Sequence, residues 1–435
     1  MLKFGENINF STTNKKGVSV GGIYGNSIRN LLAMSPLLPA YNDNGDFYEY
    51  ADIQADGWDF SAEMANPLAQ MKYDNGNGYS KGWRLQTNFF LEFVPIKGLT
   101  WRTSAGWLYR HRESRSYVPV YELSSKKSNP NDDVTQSQSY SIRWSLENTL
   151  NYVKTFGNHN VDVLLGQSLE KWGYGNGVNV TNSNSLFPGS FDHAYIANAN
   201  VVDAAYTSIG GSPESQGALS SFFGRVNYNY AETYLLSLVL RADGSSNFAR
   251  GKRWGYFPSF SAGWVISNET FMEKTKSWLD FLKLRASWGQ NGNCNISSFQ
   301  YLATIDLNDP YYFDNKDNPG IGAYPNILPN EDVKWETSEQ LDFGIDARFL
   351  NSRLGVAFDW YKKTTKDWLV RAPMLLSYGT NAPYVNGGDI ENRGYEIQLS
   401  WNDKIGKDFV YGVSFNFSHN ISRSEERRVG KECRS

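Results

Sequence analysis

The segment Trp83-Arg84-Leu85-Gln86-Thr87-Asn88-Phe89-Phe90-Leu91-Glu92-Phe93 decides the fold. Its odd positions are Trp83, Leu85, Thr87, Phe89, Leu91 and Phe93, and its even positions are Arg84, Gln86, Asn88, Phe90 and Glu92. A strand sends successive side chains to opposite faces, so this segment has one apolar wall and one mostly polar wall. The same period places Leu99, Trp101, Thr103, Ala105, Trp107 and Tyr109 opposite Arg102, Ser104 and Gly106. It places Ile142, Trp144, Leu146, Leu150 and Tyr152 opposite Arg143, Ser145 and Glu147. Later segments near 222–230, 234–243, 260–266, 282–289, 341–349, 354–361, 395–401 and 409–418 repeat the scheme. With 2–10 and 161–169, the pattern predicts about thirteen strands.

The connections alternate as well. Short links fall at 95–98, 155–160, 231–233, 350–353 and 403–408, and 269–280 reads as a brief helix or turn. Long polar links fall between them, at 11–81, 112–136, 170–216, 291–333 and 366–393. Tight turns on one rim and long loops on the other are the arrangement of an outer-membrane barrel. Most connections in compact soluble domains are about four to six residues, which fits the pattern poorly. Trp83, Phe93, Trp101, Tyr109, Trp144, Tyr152, Trp288, Trp360 and Trp401 lie near strand ends, where they would form interface girdles. A soluble β-sandwich or solenoid shares the period, with its aromatics turned inward and its charges outward.

Composition narrows the function classes. The 435 residues carry 42 Lys+Arg against 45 Asp+Glu, a net charge of -3, with no basic stripe suited to nucleic acid. Mean hydropathy is -0.52, and the most apolar candidate run, 31–41, is broken by Pro36 and Pro39, so no membrane-spanning helix is expected. Barrel strands hide half their residues from lipid and are not excluded by that average. Two cysteines, Cys294 and Cys433, make no disulfide framework. His111, His159, His193 and His419 have no metal-site spacing, and no metalloprotease, P-loop or dinucleotide motif is present. No catalytic or metal-binding residues are expected, and no enzyme. The Asn/Asp-rich runs 42–46 and 314–320 place oxygens at alternating positions as calcium ligands would be. Neither completes the calcium loop, and turn chemistry is the favoured reading, so no cofactor is expected.

Six strings in series carry a family resemblance. Arg241-Ala242-Asp243-Gly244-Ser245-Ser246-Asn247-Phe248 is followed by Arg253-Trp254-Gly255-Tyr256-Phe257-Pro258-Ser259 and by Leu284-Arg285-Ala286-Ser287-Trp288-Gly289-Gln290. Val333-Lys334-Trp335-Glu336, Asp359-Trp360-Tyr361-Lys362-Lys363 and Asn392-Arg393-Gly394-Tyr395-Glu396 complete the set. In this order and spacing they resemble the SusC/RagA-like TonB-dependent outer-membrane transporters of Bacteroidota. The resemblance covers roughly residues 2–423.

The resemblance implies an all-β fold: an antiparallel transmembrane β-barrel, here about 13 of about 22 strands. The expected division is a partial barrel with long extracellular loops over 1–423 and a scar-like tail over 424–435, where seven of twelve residues are charged. It implies import of oligosaccharides or peptides across the bacterial outer membrane by the parent protein, with the segment alone inactive. The implied partners are a surface SusD-like lipoprotein, the outer-membrane lipid, and the TonB-ExbB-ExbD complex acting through an N-terminal region with a plug. Arg225, Arg241, Asp243, Arg285, Asp342 and Arg348 are expected on the lumen wall or against the plug. Tyr311, Tyr312 and Phe313 are the candidate substrate contacts, because aromatic rings stack on sugar faces. The stretch 243–246 is expected to be a tight extracellular turn, with Arg253 and Trp254 beginning the return strand. A passive porin-like channel and a soluble β-rich glycan-binding or adhesive protein are the alternatives.

Overall fold

The computed structural model describes residues 1–16, 27–58, 66–75, 78–124, 127–200, 204–307, 310–311 and 320–425. One large antiparallel sheet dominates. Its strands are β1 (Leu2–Lys15), β2 (Gly78–Ile96), β3 (Leu99–Val118), β4 (Asp133–Phe156), β5 (His159–Trp172), β6 (Asn176–Asn182), β7 (Thr207–Pro213) and β8 (Gly217–Tyr230). They continue with β9 (Tyr234–Ser245), β10 (Trp254–Val265), β11 (Leu279–Asn293), β12 (Glu336–Phe349), β13 (Leu354–Lys366), β14 (Asp389–Ile405) and β15 (Phe409–Glu425).

Each strand pairs with the next along the chain, except that β5 pairs with β8. The hairpin β6–β7 instead extends the upper half of β4, through pairs such as Ser137 with Asn179. Thirteen strands therefore form the main path among the described residues, as the alternation predicts. β1 and β15 each pair on one side only among the described residues, so the sheet is an arc and not a closed barrel. Ser424 and Glu425 continue β15 in register with Ile390 and Asp389, and 426–435 lie outside the described residues.

The strands outrun their alternation. β4 has 24 residues, whereas a tilted strand crosses the hydrocarbon with about 9–11. The excess rises at the long-loop rim, where both faces of the sheet meet water and period two carries no signal. Even the aromatic face turns charged there, with Lys366 Nζ 2.8 Å from Glu339 Oε2 and Lys362 Nζ 2.9 Å from Glu391 Oε2.

The opposite rim is built from tight turns. Gly98 has φ +89, and a Cβ there would lie 2.3 Å from the Val153 carbonyl oxygen, so only glycine fits. Leu350, Asn351 and Ser352 all have left-handed φ (58, 57 and 58), and the Asp280 carboxylate accepts the Ser352 amide at 2.8 Å. The predicted brief helix at 269–280 is a pair of 3-10 turns, Ile266–Asn268 and Thr270–Thr275.

The long link after β1 is not a plain polar loop. It holds helices Ser27–Ala33, Tyr50–Ala55 and Pro67–Asn75. Helices this short depend on packing rather than on propensity. Leu38, Tyr48 and Ile53 supply one small core, and Asn30 donates to Gln70 at 2.6 Å. Burial, and then the Tyr48 bond to Asp56 at 2.5 Å, push the Tyr48 phenol up to about 12.

Candidate functional site: the charged face of the sheet

Register assigns the faces. On the aromatic face, Trp83 stacks on Tyr109 (ring centroids 4.8 Å apart), Tyr109 on Tyr140 (6.0 Å) and Phe343 on Trp360 (6.0 Å). Leu240 and Phe222 on this face are 57% and 51% exposed, so no protein core covers them. The girdle residues Trp83, Phe93 and Trp101 are exposed here too. That much uncovered apolar surface belongs against lipid or another apolar partner.

The opposite face carries ordered ion pairs across β5 to β13. Arg225 Nη2 lies 3.1 Å from Asp162 Oδ2, and Asn227 donates to the same carboxylate. Arg285 is the centre of a triad. Its Nε and Nη2 meet the two Asp346 oxygens at 2.7 and 3.0 Å, and Nη2 also reaches Asp359 at 3.0 Å. This reach crosses β12 at Gly344, where a Cβ would lie 2.7 Å from Arg285 Cζ and 2.5 Å from Asp359 Oδ1. The glycine is there because the guanidinium passes over it. Bidentate geometry of this kind fixes arginine more firmly than a single contact does. Asn160, Asp162, Asn227, Ser237, Lys283 and Arg285 line a groove of about 540 Å³ on this stretch.

The remaining expected wall residues divide. Arg241 Nε bonds both oxygens of Asp243 at 2.9 and 2.8 Å, and its Nη2 bonds Ser221 Oγ. Asp342 accepts from Ser287 and Gln340. Arg348 lies over the Phe281 ring at 5.5 Å, near the tight-turn rim and apart from the triad. Asp162, Asp346 and Asp359 complete the pairs, although none of the three is among the expected wall residues. Cross-strand register is the signal that identifies them. Tyr311 sits on a two-residue strand, Pro310–Tyr311, paired with Gly320–Ile321. Tyr312 and Phe313 lie outside the described residues, as does 314–319 of the second Asn/Asp-rich run. In the first such run the Asn42 side chain accepts from the Asn44 and Asp46 amides at 3.1 and 3.0 Å, which is turn chemistry.

The expected turn at 243–246 is displaced. Asp243 and Ser245 are buried within β9, and the turn occupies 246–253 before β10 begins at Trp254. The reason is a packed knot. Phe248, Phe257, Ile296, Val333 and Trp335 form one core, Trp335 Nε1 donates to the Arg253 carbonyl at 2.8 Å, and Asn247 Nδ2 donates to the Cys294 carbonyl at 3.0 Å. Three of the motif strings thus meet in a structural fastening at the long-loop rim. Cys294 packs against it as a free thiol, and burial raises its pKa.

A sheet that is aromatic on one face and charged on the other, with tight turns on one rim and long loops on the other, is the wall of an outer-membrane β-barrel. The TonB dependent receptor-like β-barrel family model matches residues 24–432, and the chain belongs to that family of outer-membrane transporters, which are not enzymes. TonB-dependent receptor P39 of Formosa agariphila is 33% identical over 361 residues, covering 82% of this chain and 33% of that protein. TonB-dependent receptor SusC of Bacteroides thetaiotaomicron is 28% identical over 438 residues, covering 96% and 41%. In fold the chain is similar to the RagAB peptide transporter, with a TM-score of 0.81 at 24% identity over 98% of this chain and 45% of that one. The chain thus spans 33–41% of the length of these curated relatives.

Proposed function

We propose that this chain supplies part of the wall of a SusC/RagA-type nutrient importer in the bacterial outer membrane, energised through TonB. A surface SusD-like lipoprotein would receive oligosaccharides or peptides and pass them to the barrel. The aromatic face borders lipid, and Arg225, Arg241, Asp243, Arg285, Asp342 and Arg348 face the lumen or the plug. The loop around Tyr311 is the candidate cargo contact at the long-loop rim. The barrel unit runs through residue 425, two residues past the expected boundary at 423, because Ser424 and Glu425 belong to β15 and pair with β14.

The observation that carries this reading is the Arg285–Asp346–Asp359 triad, set one residue away from exposed apolar side chains on the same strands. A soluble sandwich would bury the aromatic face, and here it is bare. A passive porin would share the wall, but the family match favours gated import. Uptake by cells carrying the complete gene tests this. Uptake should stop when TonB is deleted and should continue if the channel is a passive pore.

A further inference from the structure

The charged face is not uniformly neutralised. At its β1–β4 corner, register places Ser11, Arg84, Arg110 and Ser141 side by side in one cross-strand row. The next row is Thr13, Gly82, Arg112 and Ser139, and the next is Lys15, Ser80, Ser114 and Ser137. Arg84 and Arg110 stand directly opposite each other, a like-charge pairing that destabilises a sheet. None of Lys15, Arg84, Arg110 and Arg112 has an ion-pair partner among the described residues, whereas the neighbouring Arg143 is held by Glu170 at 3.1 Å. Arg84 Nη2 reaches only the Gln86 amide oxygen, at 2.5 Å, and its buried Nε has no hydrogen-bond partner. The four cations line a cleft of about 680 Å³. Glu214 lines it too, but it pairs with none of them, and its buried Oε2 also lacks a partner.

We propose that this cleft binds an acidic oligosaccharide, one whose sugar units carry carboxylates. The inference rests on the import reading and names its cargo class. Unpaired guanidinium groups provide forked donors that match carboxylates bidentately. The side chains that flank the cations in these three rows are the hydroxyls of Ser11, Thr13, Ser80, Ser114, Ser137, Ser139 and Ser141, which suit a ligand made of hydroxyls. Trp83, Tyr140 and Pro213 also line the cleft, but the three rows that hold the cations present hydroxyls and no apolar side chain to the chain atoms of an acidic peptide. The like-charge pair is retained because cargo, not the protein, neutralises it.

The test uses the complete transporter in detergent micelles, with heat-modifiable migration as the independent sign of a folded barrel. Tetragalacturonate is titrated calorimetrically at low salt, with maltotetraose as the neutral counterpart and tetraglutamate as the acidic peptide. Tetragalacturonate should bind, and its affinity should fall at least about tenfold in Arg84→Gln/Arg110→Gln and again when salt is raised. Maltotetraose should bind more weakly and be indifferent to both changes. Equal binding by the variant, or by maltotetraose, would overturn the proposal, and tetraglutamate binding as tightly at the same arginines would overturn the saccharide assignment. If the double variant does not fold, Arg112→Gln and the salt dependence of the unaltered protein decide between the same outcomes. A variant that loses stability without losing affinity would assign the patch to the plug. Failure of the import reading would be separate, seen as TonB-independent uptake with the cleft intact.

Discussion

Two regions of one wall differ in how their cations are answered. Across β5 to β13, Arg225, Arg241 and Arg285 each meet a carboxylate within about 3 Å, and Gly344 is left bare so that one of them can reach two. Across β1 to β3, Lys15, Arg84, Arg110 and Arg112 share a cleft without a paired acid among the described residues. The difference teaches that a paired cation fixes neighbouring strands to one another, while an unpaired one is left for something outside the sheet. Charge on a barrel wall is therefore not a single property.

The largest expected effect breaks the paired region. Gly344→Val would drive a side chain into Arg285 and Asp359, dispersing the triad. The complete transporter should lose about 2 kcal/mol in denaturant unfolding from micelles. Arg285→Ala removes the cation alone and leaves two facing carboxylates. Its groups are about one-third exposed, so water screens the loss to about 1 kcal/mol in the same assay. The unpaired region should respond with the opposite sign. Arg110→Gln removes a like-charge neighbour and should stabilise the empty transporter by a few tenths of a kcal/mol. Added salt should shrink that gain, because screening already relieves the repulsion. If Arg110→Gln destabilised as Arg285→Ala does, the distinction between the regions would fail.

Much of the wall is legible in sequence because lipid on one side and water on the other enforce period two. Trp83 to Phe93 reads correctly for that reason. The legible part ends where the hydrocarbon ends. Gly78 and Tyr117 lie in strands that alternation cannot extend to them, and β6 and β7 are missed because their apolar residues, Val178, Val180 and Ile209, are too few to make a stripe. The helices at 27–75 are too short to show a stripe, and the turn after β9 is misplaced because Phe248 and Trp335, 87 residues apart, hold it from outside. The site follows the same logic. Arg285 is visible as a polar-face residue, but its partners Asp346 and Asp359 lie 61 and 74 residues away and become neighbours only through register. Arg84 and Arg110 are likewise visible one at a time, and their opposition is not.

The central claim is that the aromatic face meets hydrocarbon and the charged face meets water. Ser237 and Leu238 are adjacent on β9 and point to opposite faces, with Ser237 bonded to Asn227 and Leu238 44% exposed. Each can be replaced by cysteine in a cysteine-free background of the complete transporter in lipid vesicles, then spin-labelled. The label at 238 should relax with oxygen dissolved in the bilayer and ignore a water-soluble nickel chelate, and the label at 237 should do the reverse. The opposite assignment, or equal access of the chelate to both, would contradict the account.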